Sequence, residues 1–365
     1  MKKSSIRAAL LRGLVCLAAL ALVLPGAVFA AGAHGDHNYQ DSWEPINGAD
    51  VYNNGTKFYL SQNVSAEGVL AFTQPDTTFC LAGNRLLLSI ENGPVGGRDL
   101  KVNAPLVIED CVGGGYIEAE DGVIIDVSKG GALTLRGVRI TAPVTVYNTL
   151  NVEDGSKVKG NVTVKNGATV NVSGASTVNL TVEAGGTVNI AEGATVSGSI
   201  TLNGGSLKAN NATLSCKLSV NGTSTATLTG TTVTGNDNTV TVNGGTCTIN
   251  GGKIEKISNN SGNGGGVCVN GGKLIVSGVT QISRNTATTN GGGVYVASGG
   301  TCTITEGSEM TITGNTAENG GGLYVDGGAL IVNGVTKISS NTATTNGGGV
   351  YAAAVSEWAF NVNTE

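Results

Sequence analysis

Gly271–Val296 reads GGKLIVSGVTQISRNTATTNGGGVYV, and Gly327–Ala352, 56 residues further on, reads GGALIVNGVTKISSNTATTNGGGVYA. The two stretches agree at 21 of 26 positions. A looser version, Gly299–Val325, lies between them and ends GNTAENGGGLYV. A chain that repeats at such an interval is a stack of similar units, each burying its apolar face against its neighbours.

Working outward from this repeat, one apolar–x–apolar strand recurs along the chain. It opens at Ile125, Val144, Val162, Leu180, Ile200, Leu218, Val240, Val267, Val294, Leu323 and Val350. The steps are 18–22 residues up to about residue 240 and 27–29 thereafter. After each opening strand come turn residues, a second alternating strand such as Thr187-Val188-Asn189-Ile190, and a third short piece. Alternation sends one side chain of each pair inward and the next outward. Three strands and three turns in about 18 residues make one rung of a triangular coil. A lone rung buries about six side chains at roughly 1.5–3 kcal/mol each, while ordering it costs about 1.5 kcal/mol per residue. The rungs must therefore stack, at about 4.8 Å per step, and eleven give a rod on the order of 50 Å long.

The sequence thus predicts an all-β fold, a single-stranded parallel β-helix of about eleven or more rungs. Parallel crossovers are overwhelmingly right-handed, and the drifting step length argues against the strict hexapeptide rule of left-handed coils. A left-handed coil over residues 143–235 is the alternative. The composition agrees: 58 Gly and 6 Pro in 365 residues, sparse charge, and abundant Val, Thr and Asn.

The ends read differently. Lys2, Lys3, Arg7 and Arg12 precede an apolar run, Leu14–Leu24, too short to span a bilayer. With Val28-Phe29-Ala30 it predicts a signal peptide over 1–30, cleaved after Ala30, and an extracellular or cell-surface destination. Cleavage leaves 17 cations against 26 acids, a net −9. That balance disfavours nucleic acid as a partner, and no second apolar run is long enough for an integral membrane segment. Residues 31–105 hold seven aromatics and read as an N-terminal leader and cap region that includes the start of the rod, 106–352 as the coil, and 353–365 as a tail. Either Trp358 and Phe360 plug the end or the chain continues in a longer protein.

Several groups carry possible chemistry. Asn285, Asn315 and Asn341 stand five or six residues before Gly triplets that begin at Gly291, Gly320 and Gly347. They read as a structural Asn ladder and tight turn, with Asn259 or Asn260 in that place one rung earlier. The outward column Thr145, Thr163, Thr181, Thr201, Ser219, Thr241 gives way to Cys268 and then to Tyr295, Tyr324 and Tyr351. Three stacked rings could contact a sugar or a partner protein. Glu118, Glu120, Asp121 and Asp126, with Arg136 and Arg139, are the weak catalytic candidates for acid–base work on a polysaccharide. The enzyme reading needs them to converge, and they do not repeat on successive rungs. His34, Asp36 and His37 are the weak metal candidates, with no third ligand fixed; no cofactor is implied. Both histidines lie there, so a Ser/His/Asp triad is disfavoured. Cys216, Cys247 and Cys302 fall on inward positions, and Cys80–Cys111 is the one pair read as a possible disulfide.

The segment NTATTNGGGVYV (285–296) resembles the Asn…GGG-[IV]-Y repeats of adhesin-like and polymorphic outer-membrane-protein-like right-handed β-helix proteins. HGDHNYQDSWEPINGAD (34–50), FYLSQNV (58–64) and TTFCLAGNRL (77–86) resemble the leader of repeat proteins secreted by gut bacteria. The resemblance implies the pectate-lyase-like solenoid, export, and adhesion to a glycan or surface protein of a host or neighbouring cell. The β-barrel anchor of the polymorphic group is not carried over. A polysaccharide lyase or glycoside hydrolase of the same fold is the alternative function, and a non-binding structural stalk the third.

Overall fold

The computed structural model describes residues 44–45, 57–60, 62–67, 70–89, 100–153, 155–237, 240–259 and 262–360. The signal segment and the His34, Asp36 and His37 group lie outside them. The chain is a parallel β-helix, and its contacts divide it into two compact units: residues 1–151 with 155–160, and residues 152–154 with 161–365.

In the first unit the strands from Lys57–Tyr59 to Ala132–Arg136 pair in parallel with the strand three elements later, and Glu44–Pro45 pairs in parallel with Lys57–Tyr59. One ladder runs Lys57–Tyr59, Thr77–Cys80, Pro105–Glu109, Ala132–Arg136. A second runs Leu70–Phe72, Leu100–Val102, Ile125–Val127, Val144–Val146. A third runs Val64–Glu67, Arg85–Ser89, Tyr116–Ala119, Arg139–Ile140. Three interleaved ladders are the three sides of the coil. The strands of residues 57–102 already belong to them, so the ladder register begins well before residue 106. The aromatics read as a cap are partly core: Phe58, Tyr59, Phe72 and Phe79 are buried, and the Phe72 and Phe79 rings lie 5.9 Å apart. The Cys80–Cys111 disulfide is formed and closes 31 residues of chain. Beside it, the Asp110 carboxylate accepts from the backbone N–H groups of Gly83 and Gly115, both at 2.7 Å, and ties two turns together.

In the second unit two sides of the coil merge into strands that bend through a corner. Ala175–Glu183, Thr195–Asn203 and Thr213–Asn221 are each nine residues long and pair in full register. The opening positions stack as read from sequence: Leu180, Ile200, Leu218, Val240, Val267, Val294, Leu323, Val350. All but Val350 are buried. A second interior column runs Cys247, Leu274, Cys302, Leu330. Residues 353–360 do not leave the coil as a tail. They lie within the strand Val350–Phe360, which pairs with Leu323–Val332 and sets Trp358 opposite Leu330.

Candidate functional site

The acidic group in the first unit is dispersed. Glu118 stands in register with Leu87, and its carboxylate lies 3.5 Å from the Arg85 guanidinium. Asp126 belongs to another ladder, between Lys101 and Thr145. Arg136 pairs in register with Glu109 on the remaining ladder. Arg139 lies over the Tyr116 ring at 5.1 Å, a cation–π contact. Glu120 and Asp121 lie on an exposed turn. The acids and arginines are thus spread over three sides of the coil.

The aromatic column of the second unit is in register as read: Cys268, Tyr295, Tyr324, Tyr351. The rings stack, with centroids 5.6 Å and 5.3 Å apart. They are not the open array the sequence reading expects. Tyr295 and Tyr324 are 6% and 8% exposed, and only Tyr351 is half-buried. The cover comes from the glycine corner. A Cβ placed on Gly320 would lie 2.8 Å from the Tyr324 Cβ, and one on Gly291 2.9 Å from the Tyr295 Cβ. The backbone passes close over the base of each ring, which only glycine permits. The other triplet glycines stack backbone on backbone: a Cβ on Gly292 would meet Gly321 O at 2.4 Å. The Tyr295 hydroxyl donates to Asp326 at 3.2 Å. Burial, with Asp326 adding to it, pushes the Tyr295 phenol up to about 12.

The Asn ladder is continuous, buried at Asn285 and Asn315 and half-exposed at Asn341. Asn315 Nδ2 donates to Asn341 Oδ1 at 2.9 Å and to Ile282 O at 3.0 Å. Its Oδ1 accepts from Asn285 N at 2.9 Å and Asn285 Nδ2 at 3.0 Å. The residues before these asparagines, Arg284, Gly314 and Ser340, carry the left-handed backbone, with φ of 57°, 66° and 55°. One rung earlier the ladder place belongs to Ile257, whose N–H donates to Asn285 Oδ1, and not to Asn259; Asn260 lies outside the described residues. Asn259 is buried elsewhere, donating to the carbonyls of Asn263 and Gly264.

Two further amide ladders escape a reading based on strand openings. Asn346 donates to Asn319 and Asn319 to Asn290, each just before a Gly triplet. On the outer face Asn270, Asn243, Asn221 and Asn203 form a chain of amide bonds of 3.0–3.1 Å. Their signal was the repeated tail of the opening strand: TLNGG, SVNGT, TVNGG, CVNGG. Beside them stand Thr201, Ser219, Thr241 and Cys268, also in register. Cys216, Cys247, Cys268 and Cys302 are free and buried. Burial pushes the Cys216, Cys247 and Cys302 thiols up to about 12. Burial also raises Cys268, to about 11, its hydrogen bond to Asn270 acting in the opposite direction.

No helix among the described residues is long and apolar enough to cross a membrane. No protein-family model, curated protein or solved structure matches the chain.

Proposed function

We propose that this chain is an exported, adhesin-like β-helix that binds a glycan through repeated shallow contacts on its outer face. The observation that carries the reading is the paired column of Thr201/Asn203, Ser219/Asn221 and Thr241/Asn243. Residues two apart on a strand share a face about 6.8 Å apart, and successive rungs repeat at about 4.8 Å. Hydroxyl and amide groups therefore form a two-dimensional lattice. Asn221 and Asn243 each use one N–H and one oxygen lone pair on their neighbours and keep one of each for a ligand. The ladder also fixes the amide rotamers beforehand, so little ordering remains to be done on binding. A hydroxyl-rich polymer meets such a lattice many times over, and multivalency offsets the weakness of each contact. The leader-like N-terminus and the net −9 charge expected after its cleavage agree with work outside the cell and with no role on nucleic acid.

The test is retention of the full chain on immobilised plant, host and bacterial polysaccharides, with the double variant Asn221→Ala, Asn243→Ala alongside. Loss of two ligand-facing amides should weaken retention on the order of tenfold, with circular dichroism unchanged. Retention that the double variant leaves untouched would remove the outer column from the account.

A further inference from the structure

The stack of rings ends at Cys268, and what lies beside that residue has a definite chemistry. Every other rung with the Asn-Gly-Gly-Gly corner carries Tyr four residues after the first glycine: Tyr295, Tyr324 and Tyr351. The rung of Asn263-Gly264-Gly265-Gly266 carries Cys268 instead. The corner closes in the same way, since a Cβ on Gly264 would lie 2.7 Å from the Cys268 Cβ. A small thiol stands where the repeat puts a ring.

Next to it is a pocket of about 250 Å³ lined by Lys217, Asp237, Thr241, Asn259, Asn263, Cys268 and Asn270. Three successive rungs contribute. We infer that this pocket is a binding site for a single neutral pyranose residue, the place where a glycan chain held on the outer column is recognised individually. The inference rests on the glycan-binding reading and gives it a specific site.

Four observations lead there. Among the described residues the lining is mostly polar, with no aromatic or branched aliphatic side chain, so an apolar ligand is disfavoured. Lys217 and Asp237 bring one charge of each sign, so neither a bare cation nor a bare anion is favoured. The amides of Asn263 and Asn270 and the Thr241 hydroxyl supply donors and acceptors in several directions, as a ring bearing many hydroxyls requires, while the Asn259 amide donates to the carbonyls of Asn263 and Gly264 and holds the wall in place. Drug-sized ligands occupy roughly 300–1,000 Å³, so a space of about 250 Å³ takes one ring.

A fifth observation points to a missing partner. On the later rungs the amides of Asn290, Asn319 and Asn346 satisfy one another. Asn263 holds the equivalent place, yet its Oδ1 is buried and accepts no hydrogen bond among the described residues. A buried acceptor left unpaired is costly, and a rotation of the Asn263 side chain into the pocket would present it to a sugar hydroxyl.

The substitution Cys268→Tyr restores the repeat and should fill the pocket. The probes are the methyl glycosides of glucose, galactose and N-acetylglucosamine, with methyl glucuronide and glycine as charged controls. Saturation-transfer NMR and calorimetry are read for the unmodified chain, Cys268→Tyr, Cys268→Ser and the surface variant Lys217→Ala. At least one neutral glycoside should bind with Kd on the order of 1 mM. Binding should persist in Cys268→Ser, weaken several-fold in Lys217→Ala, and fall at least tenfold in Cys268→Tyr. No binding by any neutral glycoside, binding by a charged control alone, or equal binding in Cys268→Tyr would each overturn the inference. Polysaccharide retention on the outer column is read separately. If Cys268→Tyr keeps it while Asn221→Ala, Asn243→Ala loses it, and no glycoside binds, the column stands and the pocket falls.

Discussion

Removing one amide from the middle of the buried Asn ladder should destabilise the second unit far more than removing the amide at its end. Asn315 is wholly buried and its side chain makes four hydrogen bonds, two as donor and two as acceptor. Asn315→Ala breaks all four and takes from Asn285 N–H and Ile282 C=O, both inside the coil, these partners. At roughly 0.5–1.5 kcal/mol net per bond the loss is about 2–6 kcal/mol, and desolvated orphans place it in the upper half of that range. Asn341 makes three such side-chain bonds, two with Asn315 and one to Ile312 O, but is half-exposed. Water can replace what Asn341→Ala removes, so that variant should lose about 1–2 kcal/mol. Asn315→Asp sharpens the argument. One carboxylate oxygen can still accept from Asn285, but the other faces the Ile282 carbonyl and Asn341 Oδ1, both acceptors. At neutral pH this variant should be at least as unstable as Asn315→Ala. Protonation restores a donor, so its deficit should shrink as the pH falls through the raised carboxyl pKa. Guanidinium unfolding by circular dichroism gives the free energies, and native-state hydrogen exchange reads the Asn285 amide directly. An Asn315→Ala loss below about 1 kcal/mol, equal losses at positions 315 and 341, or unchanged protection of the Asn285 N–H would refute the ladder as a source of stability.

Gly320→Ala should be far worse than Gly307→Ala. Both sit at positive φ (58° and 73°), but only the former brings a Cβ within 2.5 Å of Leu323 O and 2.8 Å of Tyr324 Cβ. Gly307→Ala should lose about 1–2 kcal/mol for the backbone conformation, and Gly320→Ala roughly 1–3 kcal/mol more for overpacking, read from unfolding midpoints. Reducing Cys80–Cys111 reopens a 31-residue loop in the first unit and should remove about 3–4 kcal/mol on the chain-entropy scale; protease sensitivity confined to residues 57–160 on adding reductant checks it. Stability should fall on the alkaline side. The Cys216, Cys247 and Cys302 thiols are raised by burial from 9.0 to about 12. The folded state keeps those protons longer than the unfolded chain, so their contribution is complete below 9.0 and is lost as pH rises towards about 12, at about 1.4 kcal/mol per pH unit for each thiol. A flat unfolding midpoint across that window would contradict the burial.

The strand alternation was enough to find the rungs, because a parallel coil fixes which residues stack once one opening position is known. Leu180 through Val350 follow it without a slip. Alternation also placed Cys247 and Cys302 inward. It could not tell whether an outward residue stays open to solvent. Tyr295 and Tyr324 point out of the coil and are buried all the same, because Gly291 and Gly320 let the corner close over them. The hint was a glycine four residues before each ring, which reads as turn chemistry until the Cβ contacts are known. Residues 31–105 read as the start of the rod plus a cap, and where one gives way to the other was hidden for a different reason. The coil's first strands are three to five residues long, and the aromatics that suggested a cap, Phe72 and Phe79 among them, fill the interior. The outer Asn ladder was legible in the recurring Asn-Gly after each opening strand, but a residue at a strand end carries no period of its own. The dispersal of Glu118, Asp126 and Arg136 follows from the three-sided path: residues eight to eighteen apart in sequence fall on different sides.

The most direct test of the proposed function is one assay with two readouts. The full chain is passed over the polysaccharide panel, and retention and new reducing ends are scored on the same samples. The account predicts retention on at least one glycan with no new reducing ends, and its weakening in Asn221→Ala, Asn243→Ala. New reducing ends that disappear in Asp126→Ala would contradict it and make the chain an enzyme whose acids act together in spite of their separate ladders.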